Sequence, residues 1–217
     1  MLKAVLFDMD GVLVDTEPEY ARTDRRMAKR FGIPMTWREP LRYRGVSASE
    51  MWTELIQKYG CDADPAELTR LEHAHMEAYY HEGRLRPIRA SVGLLKRCAK
   101  AGLKVAIATS SSGANAADVV RRLDLGQYVQ AISVRELAGR SKPAPDIFLL
   151  AAKLLEVNPA ECVVIEDADK GIEAARAAGM KAVGLITPGS GQALSGADMA
   201  VRSLRGVSVE MLKQMIP

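Results

Sequence analysis

The sequence predicts an α/β protein: a parallel sheet covered by helices on both faces, interrupted early by an all-helical insertion. Three observations point there. Short runs that are apolar throughout recur along the chain, as strands buried on both faces require. From Pro87 onward these runs alternate with helical patterns. Between Thr16 and Arg86, by contrast, helix signals follow one another without a convincing buried strand. The chain has 217 residues and is 48% hydrophobic, enough for one large domain or for a core with a modest insertion.

Leu2, Ala4, Val5, Leu6 and Phe7 form an apolar run too short for a helix and read as the first strand. It stops at Asp8, Asp10 and Asp15, with Gly11 just behind the second acid and free to turn because it lacks a Cβ. Thr16 is the expected N-cap of a helix that runs to about Phe31 and ends at Gly32, with Glu17, Pro18 and Glu19 in its first turn. Ser47 or Ser49 caps a second helix, carrying Met51, Trp52, Leu55 and Ile56 and ended by Gly60. Asp64-Pro65 opens a third, whose stripe is expected to run through Leu68, Leu71, His75 and Tyr79. Residues 16–86 are therefore expected to form a helical cap domain, inserted into a core made of 1–15 and 87–217.

After the insertion, a helix near Val92–Ala101 ends at Gly102 and the strand Lys104–Ala108 follows at once. A helix near Ala114–Leu123 precedes a short strand near Ala131–Val134. A further helix, about Pro145–Leu155, leads to the strand Cys162–Ile165, which also ends in acids. The helix Gly171–Ala178 ends at Gly179, before the strand Ala182–Leu185 and an edge strand near Met199–Val201. The expected architecture is a Rossmann-like parallel sheet core with an inserted all-helical cap domain.

Bulk properties narrow the partners. With 30 Lys and Arg against 27 Asp and Glu, the net charge of +3 gives little support to nucleic-acid binding. The basic run Arg22, Arg25, Arg26, Lys29, Arg30 has the spacing of a solvated helix face. No stretch is apolar enough to span a membrane, and the N-terminal apolar run is short and ends in acids, unlike a signal peptide. Cys61, Cys98 and Cys162 are far apart and odd in number, and read as reduced thiols of a cytoplasmic protein. A monomer without nucleic-acid or membrane partners is expected.

Polar groups gather where strands end: Asp8 and Asp10, then Thr109 and Ser110, then Glu166 and Asp167, with Lys142 on a loop before the last pair. In a parallel sheet those C-terminal ends lie along one edge, where ligands bind. Taken alone, the Asp8/Asp10 pair reads either as a nucleophile and a second acid sharing a hard cation or as a solvated turn. Taken together, Asp8 and Asp167 can hold Mg²⁺, the donors at 109–111 can bind an anion, and Lys142 can neutralise it. That inventory suits phosphoryl transfer, where catalysis is mostly positioning and charge stabilisation.

The chain resembles the haloacid dehalogenase superfamily, in its branch of phosphatases and β-phosphoglucomutase-like proteins with a helical cap. DMDGVLVD at 8–15, ATS at 108–110, SKPAPD at 141–146 and VVIEDADKGIEAA at 163–175 are similar to its four motifs, in the family's order and over nearly the full length. The resemblance implies that Asp8 is the nucleophile and that Asp10 is the general acid and then the base. It implies Mg²⁺ bound by Asp8, the Asp10 main chain and Asp167, with Glu166 at the inner or outer shell. It implies a phosphoryl group held by Thr109, Ser110 and Ser111, with Lys142 touching both Asp8 and phosphate. The second aspartate, Asp10, argues against a dehalogenase, which has no alkoxide to protonate. A non-catalytic relative would be expected to carry broken motifs, and here every motif position is filled.

The substrate implied is a small phosphorylated metabolite, such as a sugar phosphate, and the cap bears on whether it is hydrolysed or isomerised. Arg44-Gly45-Val46-Ser47 resembles the mutases' cap loop, but the arginine that follows the serine there is Ala48 here. A histidine usual in their first cap helix is replaced by Tyr20, and a position often lysine falls near His75. Without the guanidinium clamp a bisphosphate is held less well, although Arg44 or Arg42 could stand in. These differences favour a phosphatase. Glu17 and His75 are further candidates for the cap side of the site. His75 could line the cap's inner surface or be a satisfied core histidine; His73 and His81 near it do not have metal-ligand spacing on a helix.

Overall fold

The computed structural model describes residues 1–36, 39–43, 46–187 and 190–216, leaving out also the side chains of Leu41 and Arg42. A parallel sheet of six strands forms the centre: β1 (Ala4–Phe7), β2 (Lys104–Ala108), β3 (Ala131–Ser133), β4 (Cys162–Glu166), β5 (Lys181–Leu185) and β6 (Met199–Val201). Their order is β3-β2-β1-β4-β5-β6, so the chain builds outward on one side of β1 and then returns to build on the other. The reversal lies between β1 and β4, and such a switch point opens a crevice at the C-terminal ends of the two strands. Register sets the level: Phe7 pairs with both Ile107 and Ile165, so Asp8 emerges beside Glu166.

Alternation along the strands feeds two hydrophobic layers. Val5 and Phe7, with Val105, Ile107, Val163 and Ile165, face Leu94, Leu95 and Cys98 of α5 (Arg89–Lys100) and Val119 of α6 (Gly113–Arg122). Ala4 and Leu6 face the other way, toward Phe148 and Ala151 of α7 (Asp146–Leu154) and Ile172 and Ala175 of α8 (Asp169–Ala177). Every residue of β1 is buried, which explains its lack of any polar position. The C-terminal helix α9 (Val209–Gln214) seals the first layer with Leu212.

The insertion has a hydrophobic cluster of its own. It joins α1 (Glu17–Arg30) through Met27 and Ala28, α3 (Ala48–Tyr59) through Met51, Trp52 and Leu55, and α4 (Pro65–Glu82) through Leu68. Ser47 caps α3 by accepting from the Glu50 amide at 3.2 Å, and Asp64 caps α4 at 2.9 Å. A short helix, α2 (Glu39–Arg42), is held by the buried Glu39 carboxylate, which accepts from Lys58 at 2.6 Å and from Tyr59. The basic residues of α1 are all exposed, as their spacing predicts. Cys98 and Cys162 are buried and Cys61 half-buried, all as free thiols.

Several expectations need correction. The buried stripe of α4 is Leu68, Glu72, Met76 and Tyr80, whereas Leu71, His75 and Tyr79 are half-buried on its flank. Hydropathy misplaces this face because a glutamate occupies it: Glu72 is buried where its carboxylate accepts from the Trp52 indole at 2.7 Å. Met76 and Tyr80 leave the insertion's cluster altogether and pack into the first layer of the sheet. α5 begins at Arg89, three residues before the expected start, because Ile88 offers no capping side chain for the sequence to announce. α8 begins two residues early, at Asp169, whose carboxylate binds the amides of Ala193 and Leu194 and does not cap the helix. α2 and α9 were not anticipated, being only 4 and 6 residues long. Among the described residues, no helix is long and apolar enough to cross a membrane.

The chain enters and leaves the insertion along paired extended segments. The Asp15 amide donates to the Arg86 carbonyl at 2.8 Å and the Ile88 amide to Leu13 at 2.9 Å, with Val14 and Pro87 forming an antiparallel bridge. Leu55→Ala, at a fully buried site of the insertion's cluster, is expected to cost about 2–5 kcal/mol. Leu137→Ala, at a position 65% exposed, should stay within about 0.5 kcal/mol. Urea unfolding of both variants, followed by far-ultraviolet circular dichroism, checks the contrast.

Candidate active site

The site grows from the ends of β1 and β4. Asp8 continues the ladder, its amide donating to the Ile165 carbonyl at 3.0 Å, and its carboxylate is buried. The next residues turn back sharply: the Leu13 and Val14 amides donate to Met9, and Gly11 donates to Val14 at 2.8 Å. Gly11 adopts φ +76°, and a Cβ there would overlap the Asp167 carboxylate. Glycine is thus required twice over, for the backbone and for the space Asp167 occupies. Gly171 plays the same part for Glu166, whose carboxylate fills the volume a Cβ would take.

Asp8, Glu166 and Asp167 bring ligand oxygens within 4.8 Å of one another, all three buried. Lys142, on the loop before α7, places its ammonium between two of them, 2.6 Å from Asp8 Oδ1 and 2.6 Å from Glu166 Oε1. The other Glu166 oxygen accepts from the amides of Asp167 at 2.7 Å and Ala168 at 2.8 Å. Burial, reinforced by Glu166 and Asp10, pushes Asp8 up to about 8 even against the pull of Lys142. Burial works against the Lys142 charge, but Asp8 and Glu166 outweigh it and raise its pKa above the ordinary lysine range. Among the described residues, the Lys142 ammonium bridges two of these three buried carboxylates. An all-oxygen donor set of this kind fits a hard divalent cation such as Mg²⁺.

Asp10 stands apart from this cluster and points to the insertion. Its Oδ1 accepts from Thr16 Oγ1 at 2.8 Å and from the Tyr80 hydroxyl, and its Oδ2 from Ser111 Oγ at 2.8 Å. The Thr16 hydroxyl therefore makes no cap for α1, contrary to expectation: the nearby carboxylate outcompetes a helix amide as acceptor. Tyr20 lies within hydrogen-bonding reach of Tyr80 and Ser111, and burial beside Asp10 raises both phenols well above the usual tyrosine value. Ser111 is itself oriented by its amide, which donates to Thr109 Oγ1 at 3.0 Å; Thr109 is buried and Ser110 exposed.

The structure thus gathers Asp8, Asp10, Thr109, Ser111, Lys142, Glu166 and Asp167 at one edge, with Ser110 exposed between Thr109 and Ser111. Glu17 is half-buried in the first turn of α1, next to Thr16. His75 is neither a core histidine nor a partner of Asp10: it sits in the α1–α4 seam, paired with Glu19 at 3.0 Å and receiving Arg26 at 2.8 Å. Val46 precedes the α3 cap with its amide bonded to Tyr43, whereas Arg44 and Gly45 lie outside the described residues. Sequence reasoning missed the roles of Thr16 and Tyr80 on Asp10. A threonine before a helix signals a cap, and adjacent Tyr79 and Tyr80 carry no local mark of which one turns inward.

The family model of haloacid dehalogenase-like hydrolases matches residues 5–185. A β-phosphoglucomutase of Bacillus subtilis is 33% identical over 219 residues, covering 98% of this chain and 95% of that protein. Hexitol phosphatase A of Escherichia coli is 35% identical, covering 95% of this chain and 94% of that protein. Among solved structures, a family IA, variant 3 hydrolase from Entamoeba histolytica superimposes with a TM-score of 0.84 at 25% identity, over 99% of both chains.

Lys142→Met removes the only cation seen between Asp8 and Glu166 among the described residues. It is expected to cost about 3–5 kcal/mol, as loss of one partner of a buried ion pair does. Millimolar Mg²⁺ should return part of that loss; chemical denaturation with and without the ion measures both.

Proposed function

The chain belongs to the haloacid dehalogenase-like hydrolases, and from that footing we propose that it is a Mg²⁺-dependent phosphatase of small phosphomonoesters, sugar phosphates foremost. The observation that carries the reading is Lys142 between Asp8 and Glu166, with the Asp10 charge felt at Asp8. Asp8 attacks phosphorus, and the departing alkoxide takes a proton from Asp10. Asp10 then draws a proton from water, which displaces phosphate from the aspartyl phosphate and returns Asp8 to its carboxylate. Thr109 and the amide of Ser110 hold the phosphoryl oxygens beside Ser111, and Lys142 holds Asp8 and the phosphate together.

Asp8, Asp167 and the Asp10 main-chain carbonyl would bind Mg²⁺ directly. Glu166 fits the outer shell, since Lys142 and two amides already occupy its oxygens. The ion, when bound, neutralises charge on Asp8 and on the transferring group. Residues 16–86 act as the cap, closing about the paired segments near Val14 and Pro87 and bringing Thr16 and Tyr80 onto Asp10.

A mutase is the second reading, supported by the Bacillus subtilis relative. Ala48, at the first position of α3, weighs against it because it supplies no cation for a second phosphate. The hydrolysis favoured here agrees with the hexitol phosphatase relative.

Asp8→Asn is expected to lower Mg²⁺-dependent hydrolysis of p-nitrophenyl phosphate by about 10³-fold or more while leaving the circular dichroism spectrum intact. Turnover near the wild-type rate would sink the nucleophile assignment. Incubation with β-glucose 1-phosphate and glucose 1,6-bisphosphate should release inorganic phosphate and little glucose 6-phosphate. In Ala48→Arg the ratio of isomerised to hydrolysed product is expected to rise; an unchanged ratio would remove the argument from the missing clamp.

A further inference from the structure

Two carboxylates of the insertion are buried, and only one of them has a donor that the structure reveals. Asp24 on α1 is 5% exposed and Glu72 on α4 is 4% exposed. Glu72 has the Trp52 indole as donor at 2.7 Å, but Asp24 Oδ1 is buried with no hydrogen-bond partner among the described residues, as is the neighbouring Thr23 hydroxyl. A buried carboxylate oxygen without a donor is unfavourable in the folded chain and marks a place where a donor from elsewhere belongs.

The position of the pair follows from helix periodicity. On α1 and at its cap, Thr16, Tyr20 and Asp24 come at four-residue steps and share one face. On α4, Tyr80, Met76 and Glu72 do the same. Both rows start at Asp10, where the Thr16 and Tyr80 hydroxyls donate, and Tyr20 feels the charges of both Asp10 and Glu72. Asp24 and Glu72 therefore stand two turns from the reacting end, about 12 Å along the helices.

We propose that Asp24 and Glu72 form the far end of the substrate site and accept hydrogen bonds from the hydroxyls of a polyhydroxylated leaving group. The inference rests on the phosphatase reading and deepens it: the favoured substrate is an extended polyol or sugar phosphate bearing hydroxyls remote from the phosphate. Hydroxyl groups match the need, being neutral donors that a buried carboxylate can accept in pairs. Burial and mutual repulsion support the picture: burial first, then Glu72, pushes Asp24 up to about 8, and burial pushes Glu72 up to about 7. A fully charged pair is disfavoured there, so neutral donors suit it better than a site built for ion pairing.

The test compares Asp24→Ala and Glu72→Gln with the wild type on glucitol 6-phosphate, fructose 1-phosphate, phosphoethanolamine and p-nitrophenyl phosphate. The ratio of kcat/KM for glucitol 6-phosphate to that for p-nitrophenyl phosphate is expected to fall about tenfold or more in Asp24→Ala, since a site that hydrogen-bonds hydroxyls discriminates through them. The unfolding midpoint of Asp24→Ala should hold or rise, because an unpaired buried carboxylate has gone. An unchanged ratio, or a loss confined to phosphoethanolamine, would overturn the proposal. Calorimetric binding of glucitol 6-phosphate and inorganic phosphate in an Asp8→Asn background separates this failure from failure of the phosphatase reading. There, weaker binding of the polyol phosphate alone in Asp24→Ala supports the subsite even without turnover, and equal binding of both phosphates refutes it.

Discussion

Parallel pairing of β1 with β4 forces acidic residues into a volume closed to water, and much of the site answers that constraint. The register places Asp8 level with Glu166, with Asp167 next in line. Carboxylates so close and so buried repel one another and lose hydration at once. The fold answers with an ammonium from Lys142, with two backbone amides on Glu166, and with glycines at 11 and 171 that leave the carboxylates room. The oxygens so gathered are the donor type that a hard divalent cation takes.

Asp10 shows how the insertion and the sheet meet. Its carboxylate draws donors from the insertion, Thr16 and Tyr80, and one from the sheet edge, Ser111. α4 carries this arrangement structurally, because its first half packs within the insertion through Leu68 and its second half packs on the sheet through Met76 and Tyr80. The side chain of Arg122 on α6 holds the end of that helix, donating to the carbonyls of Tyr80 at 2.7 Å and of Gly83. Any movement of the insertion relative to the sheet must break or remake the bonds that Thr16 and Tyr80 make to Asp10.

The polar interior of the insertion contrasts with the dry sheet. Asp24 of α1 and Glu72 of α4 are buried where an insertion built for stability alone would carry aliphatic side chains. Polar groups in such positions lower stability unless each is given a hydrogen-bond partner. The same sequence fills the buried positions of β1 and β2 with alanine, valine, leucine, isoleucine and phenylalanine.

Strands and motif residues were legible in the sequence because both depend on local rules. A run such as Ala4–Phe7 can be stable only when buried on both faces, and the order of strand, acid and glycine repeats wherever a βα turn carries chemistry. Asp8, Lys142, Glu166 and Asp167 could be named from that logic alone. The inward face of α4, the use of Thr16 and the isolation of Asp24 could not. Each depends on which partner arrives from a distant segment: Trp52 makes Glu72 a core residue, Asp10 takes Thr16 from its helix, and among the described residues no donor reaches Asp24 Oδ1. Hydropathy and spacing describe what a residue prefers on average. Tertiary structure decides which acceptor is nearest, and for a buried polar group that contact sets its energy.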